Sequence, residues 1–464
     1  MKRPSFRNHF LVYAALVIIP VVVFAWIIFV GRALPPSIGI AASVNDPAST
    51  TPIVFSLPIL LTQVAVVIAV ARVFGLLLRR IGQPQVIGEM IAGLALGPSF
   101  LGWAWPAGYE YIFPGGVAWL NSLSQIGLVL FMFLVGLELD LKSVQDRARQ
   151  ILVVSHAGMA LPILGGGILS LFLYHDYSPS GKTFIEFALF FACAMSVTAF
   201  PVLVRILAER GLTATNLGIT STACASVADV TAWGMLAVVV ALERGSGNAS
   251  TIFWHILVGM AIYASIMFLL IRPALAYLWR KTAAHGEILG HNKFSLVILV
   301  ILVSSLGTEL LNIHAIFGAF IAGVIMPRDE RLRSAIRIRF DDLLVVLLLP
   351  LFFAFTGLRT NIGLLTMSSD WCFLLLIILV AVAGKLGGTA IAARATGIGW
   401  REAGALGVLM NTRGLMELVL LTIGLQDGVI TPALFTMMVI MAIVTTMMTT
   451  PMLSRIVPSA AHKN

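Results

Sequence analysis

An isolated aspartate, Asp229, lies near the middle of the apolar segment 213–242. An ionisable side chain at the centre of a bilayer costs about 2.5 to 3.5 kcal/mol on insertion scales, so such residues usually mark a path for ions or protons. Lys385 lies midway along a second apolar segment, 371–394, and is the natural counter-charge. Burial opposes both charges and their attraction favours them, so a proton and a small cation would compete for Asp229. The alternative for both residues is a structural ion pair that holds two segments together.

Two polar interruptions could bring oxygen ligands to this charge. The first is SVTAFP at 196–201, where Pro201 removes a backbone donor in the middle of an apolar segment. The second, NTRG at 411–414, holds the corresponding place in a later segment and contains Thr412. Interrupted helices at the membrane midplane leave backbone groups free for ions, although Pro201 could also mark a simple kink. Thr198 and Ser226 add hydroxyl oxygens, which serve either as cation ligands or in helix packing.

Four further charged residues fall in or next to apolar segments. Arg413 and Glu417 are spaced i, i+4 and are expected to pair along one helical face, in a structural or a functional role. Glu89 lies in a short glycine-rich segment, where it either lines the ion route or stabilises the fold. Glu138 lies close to a predicted cytoplasmic end and is assigned to an entry rim. We treat these four as supporting residues.

The elements that position these residues are membrane spans. Of the 464 residues, 59% are hydrophobic and 11% charged, whereas soluble domains carry about 25% charged residues. Windows of about 20 apolar residues predict spans at 10–33, 52–78, 84–102, 116–138, 151–174, 183–207, 213–242, 251–279, 294–312, 314–327, 342–358, 371–394, 402–426 and 432–454. The first is too long for a signal-peptide core of about 7 to 15 residues, so we favour a retained span. Its removal would leave thirteen.

The basic residues agree with this count. If the spans alternate from a cytoplasmic amino terminus, only Arg32, Lys182, Arg244 and Arg359 fall on outer segments, as the positive-inside rule requires. The net charge of +9 is therefore a signal of topology facing anionic lipid, and nucleic-acid binding is not expected. Both termini are expected to be cytoplasmic if the first span is retained.

No feature predicts an enzyme, a cofactor or a metal cluster. The three cysteines lie in or beside apolar segments without metal-binding spacing. The longest predicted cytoplasmic connectors, Arg280–Lys293 and Arg328–Asp341, are too short to fold as a catalytic domain. Any chemistry must therefore take place inside the helix bundle.

Two pairs of motifs recur in the same order. IGEMIAG at 87–93 matches FGAFIAG at 317–323, and FMFLVGLELD at 131–140 matches FFAFTGLRTN at 352–361. The copies run in opposite directions in the predicted topology, which indicates inverted repeats. The predicted organisation is an extra helix with an outer loop (1–51), a first six-helix repeat (52–242), a linker helix with a cytoplasmic loop (243–293), a second repeat (294–456) and a cytoplasmic tail (457–464).

These motifs resemble those of the second family of monovalent cation/proton antiporters, especially plant cation/proton exchangers and the membrane part of glutathione-gated potassium efflux systems. The resemblance covers about residues 52–456 and rests on GQPQVIGEMIAGLALGPSFLG, GLVLFMFLVGLELD, SVTAFPVLVRIL and MNTRGLMELVLL. It implies an all-α sodium/proton antiporter-like fold with about 13–14 spans, a homodimer, and a core in which two broken helices cross. It also implies that Thr198 and Thr412 lie in the crossing, that Asp229 carries the ion and the proton, and that Lys385 is the core lysine.

The sequence departs from the wider superfamily at two points. Ala228 precedes Asp229, where many members have Asp, Asn or Gln. Because a second carboxylate accompanies electrogenic exchange in related antiporters, the resemblance implies one-for-one, electroneutral exchange here. The nucleotide-binding regulatory domain of the potassium efflux relatives has no counterpart in the sequence, so regulation of that kind would come from a separate subunit.

We therefore expect a secondary transporter that exchanges K⁺ or Na⁺, bound at Asp229, for H⁺ by alternating access in a cell (inner or plasma) membrane. The residues leave the choice between the two cations open. One alternative is a partner-gated cation efflux channel, which would conduct without strict proton coupling. Another is a non-transporting membrane sensor on the same fold, which would carry no ion flux.

Overall fold

Helices account for every regular element in the part of the chain that the structure describes. The structure is a computed structural model and describes residues 6–35, 56–114, 116–138, 148–213, 215–244, 258–283, 289–311 and 315–457. In lipid a helix satisfies its own backbone hydrogen bonds, which is why an apolar chain of this composition folds as a helix bundle. The predicted all-α class is confirmed.

The described helices are numbered in chain order. They are α1 (6–31), α2 (Leu57–Arg80), α3 (Gln85–Leu96), α4 (Leu101–Ala104), α5 (Pro106–Ile112), α6 (Ala118–Glu138), α7 (Ala148–Tyr177), α8 (Phe184–Ser196), α9 (Phe200–Glu209), α10 (Asn216–Arg244), α11 (258–283), α12 (His291–Leu310), α13 (Ala315–Ile325), α14 (330–358), α15 (368–395), α16 (Trp400–Met410), α17 (Leu415–Gln426) and α18 (Pro432–Ile456). π-Helical turns occur within α1, α11, α14 and α15, at Ala14–Ile18, Ile266–Ile271, Leu344–Leu348 and Ala383–Gly387.

The helices agree with the predicted spans. Ten helical segments in the described residues are long and apolar enough to cross a membrane, and each coincides with a predicted span. The other four predicted spans correspond to α10, to the short helix α13, and to the two pairs α8/α9 and α16/α17.

The predicted connector Arg328–Asp341 contains a helix that was not predicted from the sequence, since Glu330–Leu343 is helical and continues directly into the span. The Asp329 side chain caps this helix by accepting a hydrogen bond from the Arg331 amide at 2.9 Å. Leu332, Ile336 and Phe340 are buried along one face. Sequence windows missed the helix because most of its other positions are charged, so its mean hydropathy is low although its apolar stripe is continuous.

The helices pack as two groups. Helices α2, α3, α6, α12, α13 and α14 contact one another and form the scaffold group. Helices α1, α7, α8, α9, α10, α15, α16, α17 and α18 contact one another and form the core group. The two groups meet where α18 contacts α3 and α17 contacts α14. Each group therefore contains helices from both predicted repeats.

Glycines of the repeated motifs join the two halves of the scaffold. A Cβ added at Gly93 would meet the Ala354 carbonyl, and one at Gly357 would meet the Met90 carbonyl, so α3 and α14 are in backbone contact. The same holds for α6 and α13, where Gly136 faces the Phe320 carbonyl and Gly323 faces the Phe133 carbonyl. The first motif of each repeat thus packs on the second motif of the other repeat, as an inverted duplication requires.

The amino-terminal helix α1 packs on the core group rather than on the scaffold. Phe24 lies over Gly167 of α7, and Phe184 of α8 lies over Gly31. Tyr13 bonds through its hydroxyl to His156 Nδ1 at 3.0 Å. Helix α1 therefore belongs to the core group.

We predict that Gly93→Ala and Gly323→Ala each lower stability by about 1 to 3 kcal/mol, the usual cost of overpacking, because the new methyl group meets a backbone carbonyl. The measurement is the melting temperature of the detergent-solubilised protein. Gly307→Ala in α12 is the control, since its methyl group would meet only the Tyr263 side chain at 3.9 Å. Equal melting temperatures for all three variants would contradict the close packing.

Candidate functional site

The first interruption is a complete break between α8 and α9. Helix α8 ends at Ser196, and Val197 is extended with φ −64° and ψ 145°. Helix α9 begins at Phe200 with Pro201 in its first turn, where a missing amide hydrogen costs no hydrogen bond. The kink considered for Pro201 is therefore wrong, and the backbone of residues 197–199 lies outside any helix.

The second interruption separates α16 from α17. Helix α16 ends at Met410, and α17 begins at Leu415. Gly414 has φ +157°, and its Cβ position lies 3.0 Å from the Val202 side chain and 3.6 Å from Ala199. A glycine therefore fits here for its backbone conformation and for the closeness of the first interruption.

The two interruptions are hydrogen-bonded to each other. The Ala199 amide donates to the Thr412 carbonyl at 2.9 Å. Thr198 and Thr412 are both fully buried beside this bond. The Thr412 hydroxyl donates to the Leu409 carbonyl at 2.8 Å, whereas the Thr198 hydroxyl has no hydrogen-bond partner among the described residues. Thr198 is thus the hydroxyl still available at the crossing.

Two cations cap the carboxyl end of α8. The Arg413 guanidinium donates to the carbonyls of Ala194 at 3.1 Å and Met195 at 2.6 Å. The Lys385 ammonium donates to the carbonyl of Ser196. The last carbonyls of a helix lack intrahelical partners and carry its negative dipole end, so positive charge stabilises them. Lys385 itself sits in the π-helical turn Ala383–Gly387 of α15 and is fully buried.

Arg413 also forms the predicted ion pair with Glu417, at 3.2 Å with both side chains fully buried. Thr446 of α18 holds the same arginine by its backbone. Its hydroxyl accepts from the Arg413 amide at 2.9 Å and donates to the Arg413 carbonyl at 2.7 Å. Sequence reasoning missed Thr446, because nothing distinguishes it from the other threonines of α18. The ion pair and Thr446 together hold the second interruption in place.

Asp229 lies within α10 and is 2% exposed. Neither of its carboxylate oxygens has a hydrogen-bond partner among the described residues. Lys385 is close enough to interact electrostatically with Asp229, but its hydrogen bond goes to the Ser196 carbonyl. The direct ion pair weighed from the sequence is therefore not formed, because the helix end competes for the ammonium. Two carboxylate oxygens remain available for a ligand.

The remaining predicted residues are placed differently. Ser226 lies one turn before Asp229 and donates its hydroxyl to the Thr222 carbonyl at 2.8 Å, which leaves only its oxygen lone pairs for a ligand. Glu89 lies in the scaffold helix α3 and is 1% exposed. Glu138 ends α6 and pairs with Arg337 at 3.1 Å, with its side chain 42% exposed. Neither glutamate contributes to the cluster around Asp229.

This chemistry suits a small monovalent ion. Among the described residues, no group of three His, Cys, Asp or Glu side chains is placed to hold a metal. The buried oxygens without a hydrogen-bond partner among the described residues include those of the Asp229 carboxylate and the Thr198 hydroxyl, and hard cations prefer oxygen. Multivalent ions usually bind several carboxylates. A single carboxylate balances one positive charge.

Inverted halves that meet at two crossed helix breaks are an architecture of secondary transporters. The transmembrane sodium/hydrogen exchanger family model matches residues 65–457. The chain belongs to this family of cation/proton antiporters, and it is a multi-pass integral membrane protein.

Several proteins are similar to this chain. The Na⁺/H⁺ antiporter NhaS4 of Synechocystis sp. is 41% identical over 409 residues, which are 88% of this chain and 99% of that protein. Cation/H⁺ antiporter 20 of Arabidopsis thaliana is 38% identical over 86% of this chain, and K⁺/H⁺ antiporter 1 of Saccharomyces cerevisiae is 33% identical over 87%. The chain spans about half the length of these two eukaryotic relatives, 48% and 47%.

A solved structure has the same fold. The sodium proton antiporter MjNhaP1 from Methanocaldococcus jannaschii matches with a TM-score of 0.63 and 15% identity, over 86% of this chain and 96% of that one. The relatives named above are transporters rather than enzymes.

We predict that Arg413→Met destabilises the protein by about 3 to 5 kcal/mol, because it leaves the Glu417 carboxylate buried without its partner. The double variant with Glu417→Met should recover part of this loss, but not the capping of α8. Arg337→Met, at the exposed pair with Glu138, is the control and should cost less than about 1 kcal/mol. Denaturation of the solubilised protein measures all three, and equal losses at Arg413 and Arg337 would refute the capping role.

Proposed function

We propose that this protein exchanges one monovalent cation, K⁺ or Na⁺, for one proton at Asp229. The observation that carries the proposal is the buried Asp229 carboxylate, whose two oxygens have no hydrogen-bond partner among the described residues. Lys385 lies in electrostatic range and bonds to the end of the broken helix α8. A proton and a cation compete for the same carboxylate, so binding of one releases the other.

Lys385 supports this competition as a fixed positive charge. When Asp229 is ionised and empty, Lys385 offsets its charge, and when a cation binds, the ammonium is still held by the Ser196 carbonyl. The site therefore never holds an uncompensated carboxylate, which would be costly in lipid. The Thr198 hydroxyl and backbone oxygens of the interruptions complete the proposed ligand set.

Alternating access would come from movement of the core group against the scaffold group. A cavity of about 420 Å³ lies between them, lined by Gln125, Leu302 and Glu309 of the scaffold and by Ile423, Gln426 and Asp427 of the core. By the proposed topology it lies at the outer end. Carrying Asp229 past a stationary scaffold would present the same site to each side in turn.

The nature of the cation stays between Na⁺ and K⁺, since relatives bear the names of Na⁺/H⁺ and K⁺/H⁺ antiporters. We further propose a homodimer in a cell (inner or plasma) membrane, with both termini cytoplasmic, residues 1–33 retained and the repeats bounded at 52–242 and 294–456. Regulation by a nucleotide-binding protein would use a separate subunit.

The test uses proteoliposomes that contain a pH dye and carry an imposed proton gradient. Addition of K⁺ or Na⁺ should collapse the gradient with the wild-type protein, and Asp229→Asn should abolish the response, because an amide binds neither the proton nor the cation in the same way. Glu402→Gln, which removes an exposed carboxylate of α16, is the matched control and should retain exchange. A wild-type protein that responds to neither cation, or an active Asp229→Asn variant, would refute the mechanism.

One-for-one exchange predicts no net charge movement. A concentration jump of the transported cation on a solid-supported membrane should give a dye response without a sustained current, because one positive charge enters for each that leaves. Ala228 is 1% exposed and adjoins Asp229, so no second carboxylate is available there to carry an additional proton. A sustained current that depends on Asp229 would contradict electroneutral exchange.

A further inference from the structure

A partly buried series of hydrogen-bonded side chains links core and scaffold at the inner end, the end proposed to be cytoplasmic. Arg205 of α9 donates to the Gln85 Oε1 of α3 at 3.0 Å. The Gln85 Nε2 donates in turn to Glu89 Oε1 at 3.1 Å. Arg205 belongs to the core group, while Gln85 and Glu89 belong to the scaffold group. These hydrogen bonds therefore join the core group to the scaffold group, and alternating access requires these two groups to move relative to each other.

Glu89 fixes the orientation of the Gln85 side-chain amide. Because a glutamine presents one donor end and one acceptor end, the Nε2 bond to Glu89 leaves the Gln85 oxygen to face Arg205. Arg205 also interacts electrostatically with Glu89, as does Arg72 of α2. A neutral acceptor, the Gln85 amide, thus lies beside a carboxyl group, and both interact with the same guanidinium.

The second oxygen of Glu89 has no hydrogen-bond partner among the described residues, although the side chain is 99% buried, being 1% exposed. A buried acceptor without a donor is costly in a fixed arrangement. It is less costly if a donor reaches it in another state of the protein. Arg205 is the donor carried on the moving group, and α9 begins directly after the first interruption.

We propose that Arg205, Gln85 and Glu89 form a two-position latch of the transport cycle, an inference that rests on the proposed alternating access. Arg205 bonds to Gln85 in the state described here and to Glu89 in the opposite state. The latch couples the position of α9, and with it the Thr198 crossing, to the scaffold. It gives the core two discrete positions instead of a continuous range.

Reversible cross-linking tests whether the two groups separate here. In a variant with Cys193, Cys224 and Cys372 replaced, Gln85→Cys with Arg205→Cys is treated with a bifunctional methanethiosulfonate reagent. We expect cross-linking to stop cation-dependent proton exchange and a thiol reductant to restore it. The control pair is Gln150→Cys with Thr396→Cys, whose native side chains are also hydrogen-bonded, at 3.2 Å and 3.4 Å, but lie within the core group alone.

The outcomes separate the latch from the proposed function. Exchange that continues after cross-linking at 85 and 205 overturns the latch but leaves antiport intact, and loss of exchange in the cross-linked control pair also counts against it. Absence of exchange in the uncross-linked wild-type protein overturns antiport itself. Exchange that stops only for the 85 and 205 pair supports both.

A charge substitution tests the second position. Gln85→Glu gives Arg205 a charged acceptor in the present position, and a charge-assisted bond there should slow maximal exchange by roughly tenfold without a matching change in the apparent KM for the cation. Gln150→Glu is the control and should leave both values unchanged. Unchanged maximal exchange in Gln85→Glu, with normal folding by size-exclusion chromatography, would exclude the exchange of Arg205 between acceptors.

Discussion

The structure depends on one electrostatic constraint: a helix that ends inside a membrane exposes carbonyl groups that lipid cannot satisfy. At the end of α8 this constraint is met by two side chains from the other repeat. Arg413 serves the carbonyls of Ala194 and Met195, and Lys385 serves the carbonyl of Ser196. Each partner is itself anchored, Arg413 by Glu417 and Thr446, and Lys385 by the full burial of its own side chain in a π-helical turn. The broken helix and its supports are therefore joined by one continuous set of hydrogen bonds.

The bond between Lys385 and the end of α8 explains why Asp229 is left without a hydrogen bond from this lysine. The Lys385 ammonium is hydrogen-bonded to the end of α8. It therefore contributes positive charge near Asp229 without occupying the carboxylate oxygens. A direct ion pair would have made both groups structural. A lysine beside a carboxylate could balance its charge, occupy its oxygens, or do both. Here Lys385 balances the charge and leaves the oxygens unoccupied. A comparable arrangement recurs in α3, where Gln85 stands between Arg205 and Glu89.

Much of this could be predicted from the sequence, for identifiable reasons. Apolar length and charge placement predicted the spans, and the recurring glycines of 87–93 and 317–323 predicted the inverted packing, because both depend on local composition. The polar stretches around Thr198 and Thr412 predicted the two interruptions, and the family resemblance implied that they cross. What could not be predicted depends on contacts across the chain. The partner of Lys385 is a backbone carbonyl, which no residue type reveals, and Thr446 resembles its neighbours. The helix Glu330–Leu343 was hidden because its charge masks a narrow apolar stripe.

The glycine contacts of the scaffold also bear on how the chain is made. Helix α3 finds its close-packed neighbour in α14, and α6 finds its own in α13, so neither repeat can cover its own glycine faces. During synthesis, the glycine faces of α3 and α6 therefore lie against lipid until the second half of the protein is inserted. Each half therefore needs the other to complete its packing. A chain that stopped after residue 242 would lack α13 and α14, which cover the glycine faces of α6 and α3.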